Sequence, residues 1–353
     1  MGCTSDSGMS GENYILAELK IGEYDVDEEV WIISSYEETS KQMPDEQREE
    51  GEDEFKNEDE IKGSTTISIN DEVIPFTYRH TFKGQGIYRI KYTFSRLLTK
   101  TDYMFCYCGC LTKIDLTHFN TEKVTNMASM FYNCYNAEII DVSKLKTKNV
   151  TDMSCMFLCC EKLNKLDVTK FDTRNVKTMH AMFNLTSNLT ELDISNFKTK
   201  NVTDMSSMFC GCVKLKNIDV SSFNTENVTL MHHMFSQCEG LTNIKLPNFN
   251  TKNVTELTGM FDNLTLESID LSNFNTEKVE KMSRLFEKCK NLKNVNLSNF
   301  KVTSKTEMEN MFAFCPNLEK KNIITKDERI LAQYDKDILV KEEENEEGGN
   351  DEA

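Results

Sequence analysis

Apolar and polar positions along this chain repeat with a long period. The methionine–phenylalanine pairs, with Leu285–Phe286 in one place, mark it: the phenylalanines fall at Phe105, Phe131, Phe157, Phe183, Phe209, Phe235, Phe261, Phe286 and Phe312, spaced by 26 residues except for one step of 25. A period of this length signals a stacked repeat architecture. One unit reads "CVKLKNIDVSSFNTENVTLMHHMFSQC" from Cys212 to Cys238. Leu215, Ile218 and Val220 have the L-x-x-L-x-L spacing of a strand whose alternate residues point inward. Phe223 and Val228 then line a turn. Met231, Met234, Phe235 and Cys238 stand at i, i+3, i+4 and i+7, which predicts one face of a short helix, with Thr229 as its N-cap. Each repeat is therefore expected to be strand, loop, short helix and return. Neither apolar face can be buried by one unit alone, and stacking buries both.

The word "LxxLDLSxFxTxxVTxMxxMFxxC" carries a resemblance. From about Leu111 to Cys289 the chain resembles the BspA-like leucine-rich repeat surface proteins with 25–26-residue repeats. The spacing is also similar to the cysteine-containing leucine-rich repeats of ubiquitin-ligase substrate receptors, although no F-box-like segment is present. The units at Asn184 and Asn263 carry Thr186 and Leu264 where the others have cysteine, and "FKVTSKTEMENMFAFC" reads as a degenerate last unit. The resemblance implies an α/β repeat solenoid, a right-handed coil of strand plus short helix, and a role in binding at a surface.

The ends differ in texture. "YILAELKI", "EVWIIS", "TTISI", "EVIPFTY" and "GIYRIKYTF" are short β-rich runs, and "HTFKGQGIYRIKYTF" looks like the closing hairpin of an immunoglobulin-like or PKD-like sandwich. Such a unit would cover the hydrophobic edge of the first coil. The expected organisation is a disordered N-terminus at 1–12 and a β-rich cap at 13–100 with an acidic disordered loop at 37–62. A solenoid of about eight repeats follows at 101–318, then a C-terminal cap at 319–340 and an acidic disordered tail at 341–353.

Charge sharpens this organisation. The net charge is −17. Glu37–Lys62 carries twelve acids and four bases, and Glu342–Ala353 carries seven acids and no base, which leaves the rest of the chain close to −2. These two segments have too little apolar surface to pack. A strongly acidic chain repels phosphate backbones, so nucleic acid is excluded as the expected partner. Hydrophobic residues make up 39% of the chain and the mean hydropathy is −0.51. No apolar run reaches the roughly 18 residues of a membrane span. "MGCTSDSGMSGENY" lacks the basic and apolar regions of a secretory signal, which points to a reducing, cytoplasmic compartment.

Candidate chemistry is sparse. Seven of thirteen cysteines share one repeat column, Cys108, Cys134, Cys160, Cys212, Cys238, Cys289 and Cys315, and are expected to be small buried apolar groups. "CYCGC" has no histidine near it for a zinc site. The methionine pairs are expected to be core, and His232 to lie on the surface. No catalytic constellation, phosphate loop, metal set or cofactor motif is seen, so the expectation is a non-enzyme without cofactor or small-molecule substrate.

The strand face is the candidate for binding a protein partner. Its outward column is Asp115, Asp141, Asp167, Asp193, Asp219, Lys245 and Asp270, flanked by Lys113, Lys165, Glu191, Asn217 and Asn243, with Asn294 near the end. Stacking would place the aspartates about 4.8 Å apart, raising one another's pKa and drawing a basic partner or Ca2+. The other reading is a structural hydrogen-bonded ladder with the Ser/Thr column two residues on. "MGC" resembles a dual-acylation start, with Gly2 and Cys3 as acceptors, which would anchor the chain to a membrane. Four N-x-T sequons, at Asn149, Asn201, Asn227 and Asn253, are the repeated "NVT" word and follow from the repeat.

Overall fold

The computed structural model describes residues 12–41 and 56–347. The chain divides into two compact units, Met1–Asn175 and Val176–Ala353. Both are sheet-rich with few helices, and among the described residues no closed barrel forms.

In the first unit a six-stranded sheet runs in the order β4–β3–β6–β1–β7–β8. Its strands are β1 (Tyr14–Ile21), β3 (Thr65–Ile69), β4 (Glu72–Ile74), β6 (Gly86–Phe94), β7 (Leu111–Asp115) and β8 (Ile139–Asp141). The last two belong to repeats and pair in parallel, Ile114 opposite Ile140. β1 pairs antiparallel with β7, Glu18 opposite Lys113, so the N-terminal strands extend the repeat sheet. The expected "HTFKGQGIYRIKYTF" hairpin does not form. β5 (Arg79–Thr81) pairs instead with β2 (Glu29–Trp31). The reason is that β1 and β3 occupy both edges of β6, leaving it no free hydrogen-bonding side. The ends of the acidic segment expected to be disordered are helical: α1 (Tyr36–Ser40) and α2 (Glu58–Ser64). Glu37 accepts the N–H of Glu58 at 3.1 Å and so caps α2. Residues 42–55 of that segment lie outside the described residues, as do 1–11.

The repeats keep their predicted core but not their predicted helix. Met231, Met234, Phe235 and Cys238 are all 0% exposed. Yet among the described residues no helix lies within 101–318. The N–H groups of Met231, His233, Phe235 and Gln237 donate to the carbonyls of Glu256, Thr258, Met260 and Asp262 in the next coil, at 2.8–3.2 Å. The alternate residues Met234, Ser236 and Cys238 donate three residues back, to Met231, His233 and Phe235. His233 and Gln237 take left-handed backbone, φ 54° and 57°. The same pair of positions is left-handed at Ser129 and Asn133, Cys155 and Cys159, and Ser207 and Gly211. A left-handed residue at every fourth position ends any helical hydrogen-bond series. Alternate N–H groups then face the next coil, which supplies acceptors that an isolated segment lacks. With no helix, Thr229 is not an N-cap; its hydroxyl donates to the Thr203 carbonyl of the preceding coil at 3.1 Å.

Four side-chain columns lock coils together. Phenylalanine rings stack, Phe105 on Phe131 at 5.9 Å in the first unit and Phe209 on Phe235 at 5.6 Å in the second. From Cys134 onward, each column thiol donates to the phenylalanine carbonyl of the preceding coil: Cys134 to Phe105 at 3.1 Å and Cys238 to Phe209 at 2.9 Å. The buried threonine of "FNT" works in both directions. Thr225 Oγ1 accepts the Asn250 N–H at 2.7 Å and donates to the Asn250 carbonyl at 3.1 Å. In the "NVT" word, Asn227 Nδ2 donates to the Lys200 carbonyl at 2.8 Å, and Asn253 Nδ2 to the Glu226 carbonyl at 2.9 Å.

Regular strands are fewer than the repeat predicts. In the second unit β9 (Ser268–Asp270), β10 (Asn294–Asn296) and β11 (Ile323–Ile324) form a parallel ladder. The segment of Leu215 is extended but contacts its neighbour through a long bond, Lys216 N–H to Thr190 at 3.5 Å. A second line of parallel bridges, unforeseen from the sequence, joins residues just before the methionines, such as Asp204, Leu230 and Glu256. After the last coil, α3 (Glu328–Glu347) continues into the tail expected to be disordered. Glutamate propagates a helix well once its first turns are formed.

Candidate functional site

The predicted strand face is a real surface, and the structure explains its aspartates. In the first unit Lys113 and Lys165 are exposed, Asp115 and Asp141 are half-buried, and Asp167 is exposed. In the second unit Glu191, Asp193, Asn217, Asp219, Asn243, Lys245, Asp270 and Asn294 are all exposed.

Each aspartate acts within its own coil. Asp115 Oδ1 accepts the N–H and hydroxyl of Thr117 at 2.8 and 2.7 Å. Asp141 does the same with Ser143, Asp167 with Thr169 and Asp193 with Ser195. Asp219 and Asp270 accept the N–H of Ser221 and Ser272 at 2.9 Å. These are Asx turns that swing the chain off the strand; Asp270 also bonds Asn296 of the next coil. Where Lys245 stands, Pro247 replaces the donor, so that coil has no such turn.

The expected mutual raising of pKa is not what these contacts produce. The Thr169 hydroxyl, then its N–H, holds the Asp167 carboxyl below the usual range. Ser221 does so for Asp219, and Ser272 for Asp270. Hydrogen bonds to the ionised form outweigh repulsion between neighbours in water. Asp167, Asp219 and Asp270 are therefore ionised at neutral pH.

Sequence reasoning missed the part of this face that lies outside the repeats. Because β1 pairs with β7, the outward residues of β1 and β6 join the row. Glu18 stands opposite both Arg89 and Lys113, and Leu16 opposite both Lys91 and Asp115. These residues line a shallow depression of about 360 Å³. Leu16 is 40% exposed, a large apolar side chain left open on the sheet. Lys91 sits 4.4 Å over the Tyr14 ring and 3.1 Å from Glu12. The period-2 alternation of "YILAELKI" carried the signal for this face, but only the β1–β7 pairing joins it to the repeats.

In the second unit a wider depression of about 620 Å³ is lined by Thr190, Lys214, Lys216, Asn217, Glu239 and Thr242. Gly240 also lines it and lets two coils pack closely, since a Cβ there would lie 2.7 Å from the Leu215 carbonyl oxygen. Asn217 is the predicted face residue it includes.

Other candidates resolve as structure. The methionines are core: Met153, Met156, Met205 and Met208 are 0% exposed. His232, expected on the surface, is half-buried, and burial lowers its pKa against the opposing pull of Glu256. Its Nδ1 lies 3.9 Å from Glu256. His180 Nδ1 contacts Ser206 Oγ at 2.7 Å, and that hydroxyl bonds Asp204. Ser206 is fully buried, so no substrate reaches it as a nucleophile. Among the described residues no three His, Cys, Asp or Glu converge as metal ligands. No helix among the described residues is long and apolar enough to cross a membrane. Gly2 and Cys3 lie outside the described residues.

A family model described as "Mycoplasma protein of unknown function, DUF285" matches residues 75–137, 99–218, 132–244 and 213–326. These overlapping segments span 75–326, well over half of the chain. No curated protein was found similar to it. Among solved structures, a leucine-rich repeat protein from Bacteroides ovatus ATCC 8483 is similar at 18% identity and a TM-score of 0.37. That alignment covers 70% of this chain and 61% of the other, less than two thirds of its length.

Proposed function

This chain belongs to the family described as "Mycoplasma protein of unknown function, DUF285", and from that premise we propose that it is a non-enzymatic scaffold that binds a protein partner through its strand face. The observation that supports this most is the coincidence of that face with open surface. Lys113 and Asp115 border one depression, and Asn217 borders another. The backbone beneath is satisfied by turns and intercoil bonds, so outward side chains can vary without cost to the stack. Specificity then comes from a row of carboxylates interrupted by Lys245 and flanked by Lys113 and Lys165, which suits a partner with matching basic and acidic groups. The right-handed solenoid expected from the repeat is part of this proposal.

Site-specific photo-crosslinking tests it. Crosslinkers at Lys113, Lys165 and Asn217 should capture one common partner, and crosslinkers at the loop positions Lys148 and Lys200 should not. Capture of that partner from the loop positions alone would overturn the reading.

Two narrower versions follow from the sequence. The BspA-like word favours an adhesin at the cell surface. Here the sequon asparagines Asn227 and Asn253 are occupied as donors in the stack, so N-glycans on them would have to break those bonds. The "MGC" start favours a scaffold held at the inner membrane face by acylation, in a chain otherwise cytoplasmic. Gly2→Ala should then move the protein to the soluble fraction, and unchanged fractionation would exclude the anchor.

A further inference from the structure

Asp102 lies in the first coil where α1 and α2 cover it, and it is 0% exposed. Neither carboxylate oxygen has a hydrogen-bond donor. The equivalent positions in the next two coils hold the small residues Ala128 and Ser154, which require no such donors. Three elements meet at the backbone beside this carboxyl. Asn57 Nδ2 donates to the Asp102 backbone carbonyl at 2.6 Å, and Asn57 Oδ1 accepts the Tyr36 N–H at 3.3 Å. Glu37 of α1 holds the N–H of Asn57 and of Glu58. Ser34 N–H closes the seam on the Met104 carbonyl at 2.7 Å.

A carboxylate in a dry site without donors is strongly disfavoured, and the neutral acid is the form that fits. The charged groups facing it do not change this. Burial is the largest influence and holds the carboxyl well above its usual range; its own backbone N–H, outside hydrogen-bond geometry, and Lys100 favour ionisation, while Glu37 and Asp152 oppose it. Lys100 is also tied to the Lys56 carbonyl at 3.4 Å. Tyr36, Tyr103 and Cys106, neutral at physiological pH, pack together in the same seam.

We propose that α1 and α2 form a proton-operated latch over the first coil, closed on Asp102 while its carboxyl carries a proton and released when the carboxyl ionises. On release the proton passes to water and the carboxylate is hydrated. The closed form binds the proton more tightly than the open one, so rising pH drives opening. Opening uncovers the carbonyls of Asp102 and Met104. These are equivalent to the acceptors that Ala128 and Met130 present to the coil before them.

Hydrogen exchange on the full chain between pH 6 and 9, corrected for intrinsic rates, tests the latch. Protection of Tyr36–Ser40 and Glu58–Ser64 should fall by more than about tenfold across this range while β6 keeps its protection. Asp102→Asn keeps the shape and cannot ionise, so its protection should stay within about twofold. Glu37→Gln removes an opposing charge and should move the opening to lower pH. Protection independent of pH in the wild type, an equal fall in β6, or an equal fall in Asp102→Asn would each overturn the proposal. If Asp102→Asn does not fold, the wild-type curve and the direction of the Glu37→Gln shift decide.

Discussion

The carboxylate of Asp337 accepts the backbone N–H of Phe312 at 2.8 Å. In the coils before it, the same donor finds a carbonyl of the next coil, as Phe286 does at Met311. The last coil has no successor, and α3 brings in a side chain to stand for the missing carbonyl. The first coil has the opposite need, since its carbonyls lack donors, and Asn57 and Ser34 supply them. The first coil of one unit and the last coil of the other are therefore each closed by a group of the complementary kind.

Asp337→Ala removes that acceptor and leaves a buried N–H unpaired, which costs about 1–3 kcal/mol. Chemical denaturation should show the loss. Exchange protection should fall at Phe312 and α3 before it falls elsewhere in that unit.

Thr225→Val keeps the shape of a fully buried side chain and deletes its hydroxyl. The Asn250 N–H and carbonyl then both lose their partner. Destabilisation of about 1–3 kcal/mol is expected, and Thr225→Ser should recover most of it. Equal stability of Val and wild type in urea titration would show that the threonine column is not a rung.

Gln237 distinguishes a turn ladder from a helix. It is exposed with φ 57°. Gln237→Gly should be neutral or stabilising by up to about 1 kcal/mol, since a non-glycine residue pays roughly that amount for left-handed backbone. In a helix the same change would destabilise by about 1 kcal/mol relative to alanine. Thermal denaturation of the Gly and Ala variants reads the sign.

The column cysteines Cys108 and Cys134, and Cys110 beside them, should resist alkylation in the folded protein. Burial pushes the thiols of Cys108 and Cys134 well up. Burial first, then Asp25, raises Cys110 to about 12. At pH 8 the reactive thiolate is therefore scarce in all three. Mass spectrometry after iodoacetamide treatment should find them unmodified until denaturant is added.

Asp219→Asn and Asp270→Asn should preserve the fold at pH 7, because Asn296 already accepts the Ser298 N–H in the same turn. The two carboxyls have lowered folded-state pKa values, so their contribution is present above the unfolded value of about 3.9. It is lost as pH falls through the lower folded values. The wild type should therefore lose more stability between pH 5 and 3 than the double variant, as read from urea midpoints.

The period was legible because a repeated contact demands a repeated residue. Phe209, Phe235 and Phe261 announce their stack by spacing alone. The buried set Met231, Met234, Phe235 and Cys238 was also legible, yet its conformation was not. Spacing of three and four residues is shared by a helix and by a run of turns that places a left-handed residue every fourth position. The strand-face aspartates were visible as a column, but whether they bonded along the strand or between coils depended on backbone direction after the strand. Glu18, Arg89 and Lys91 gave no sign of belonging to that face, since their place depends on a pairing across more than ninety residues of sequence.

By itself, then, the sequence determined the period, the buried residues and the division into repeats and ends, because burial is written into side-chain polarity. Only the tertiary structure decided the conformation of the "MHHMFSQC" run, the partner of each backbone group and the chemistry of the two caps. A backbone N–H is the same in every residue, and which carbonyl it meets is settled by the neighbouring coil rather than by its own side chain.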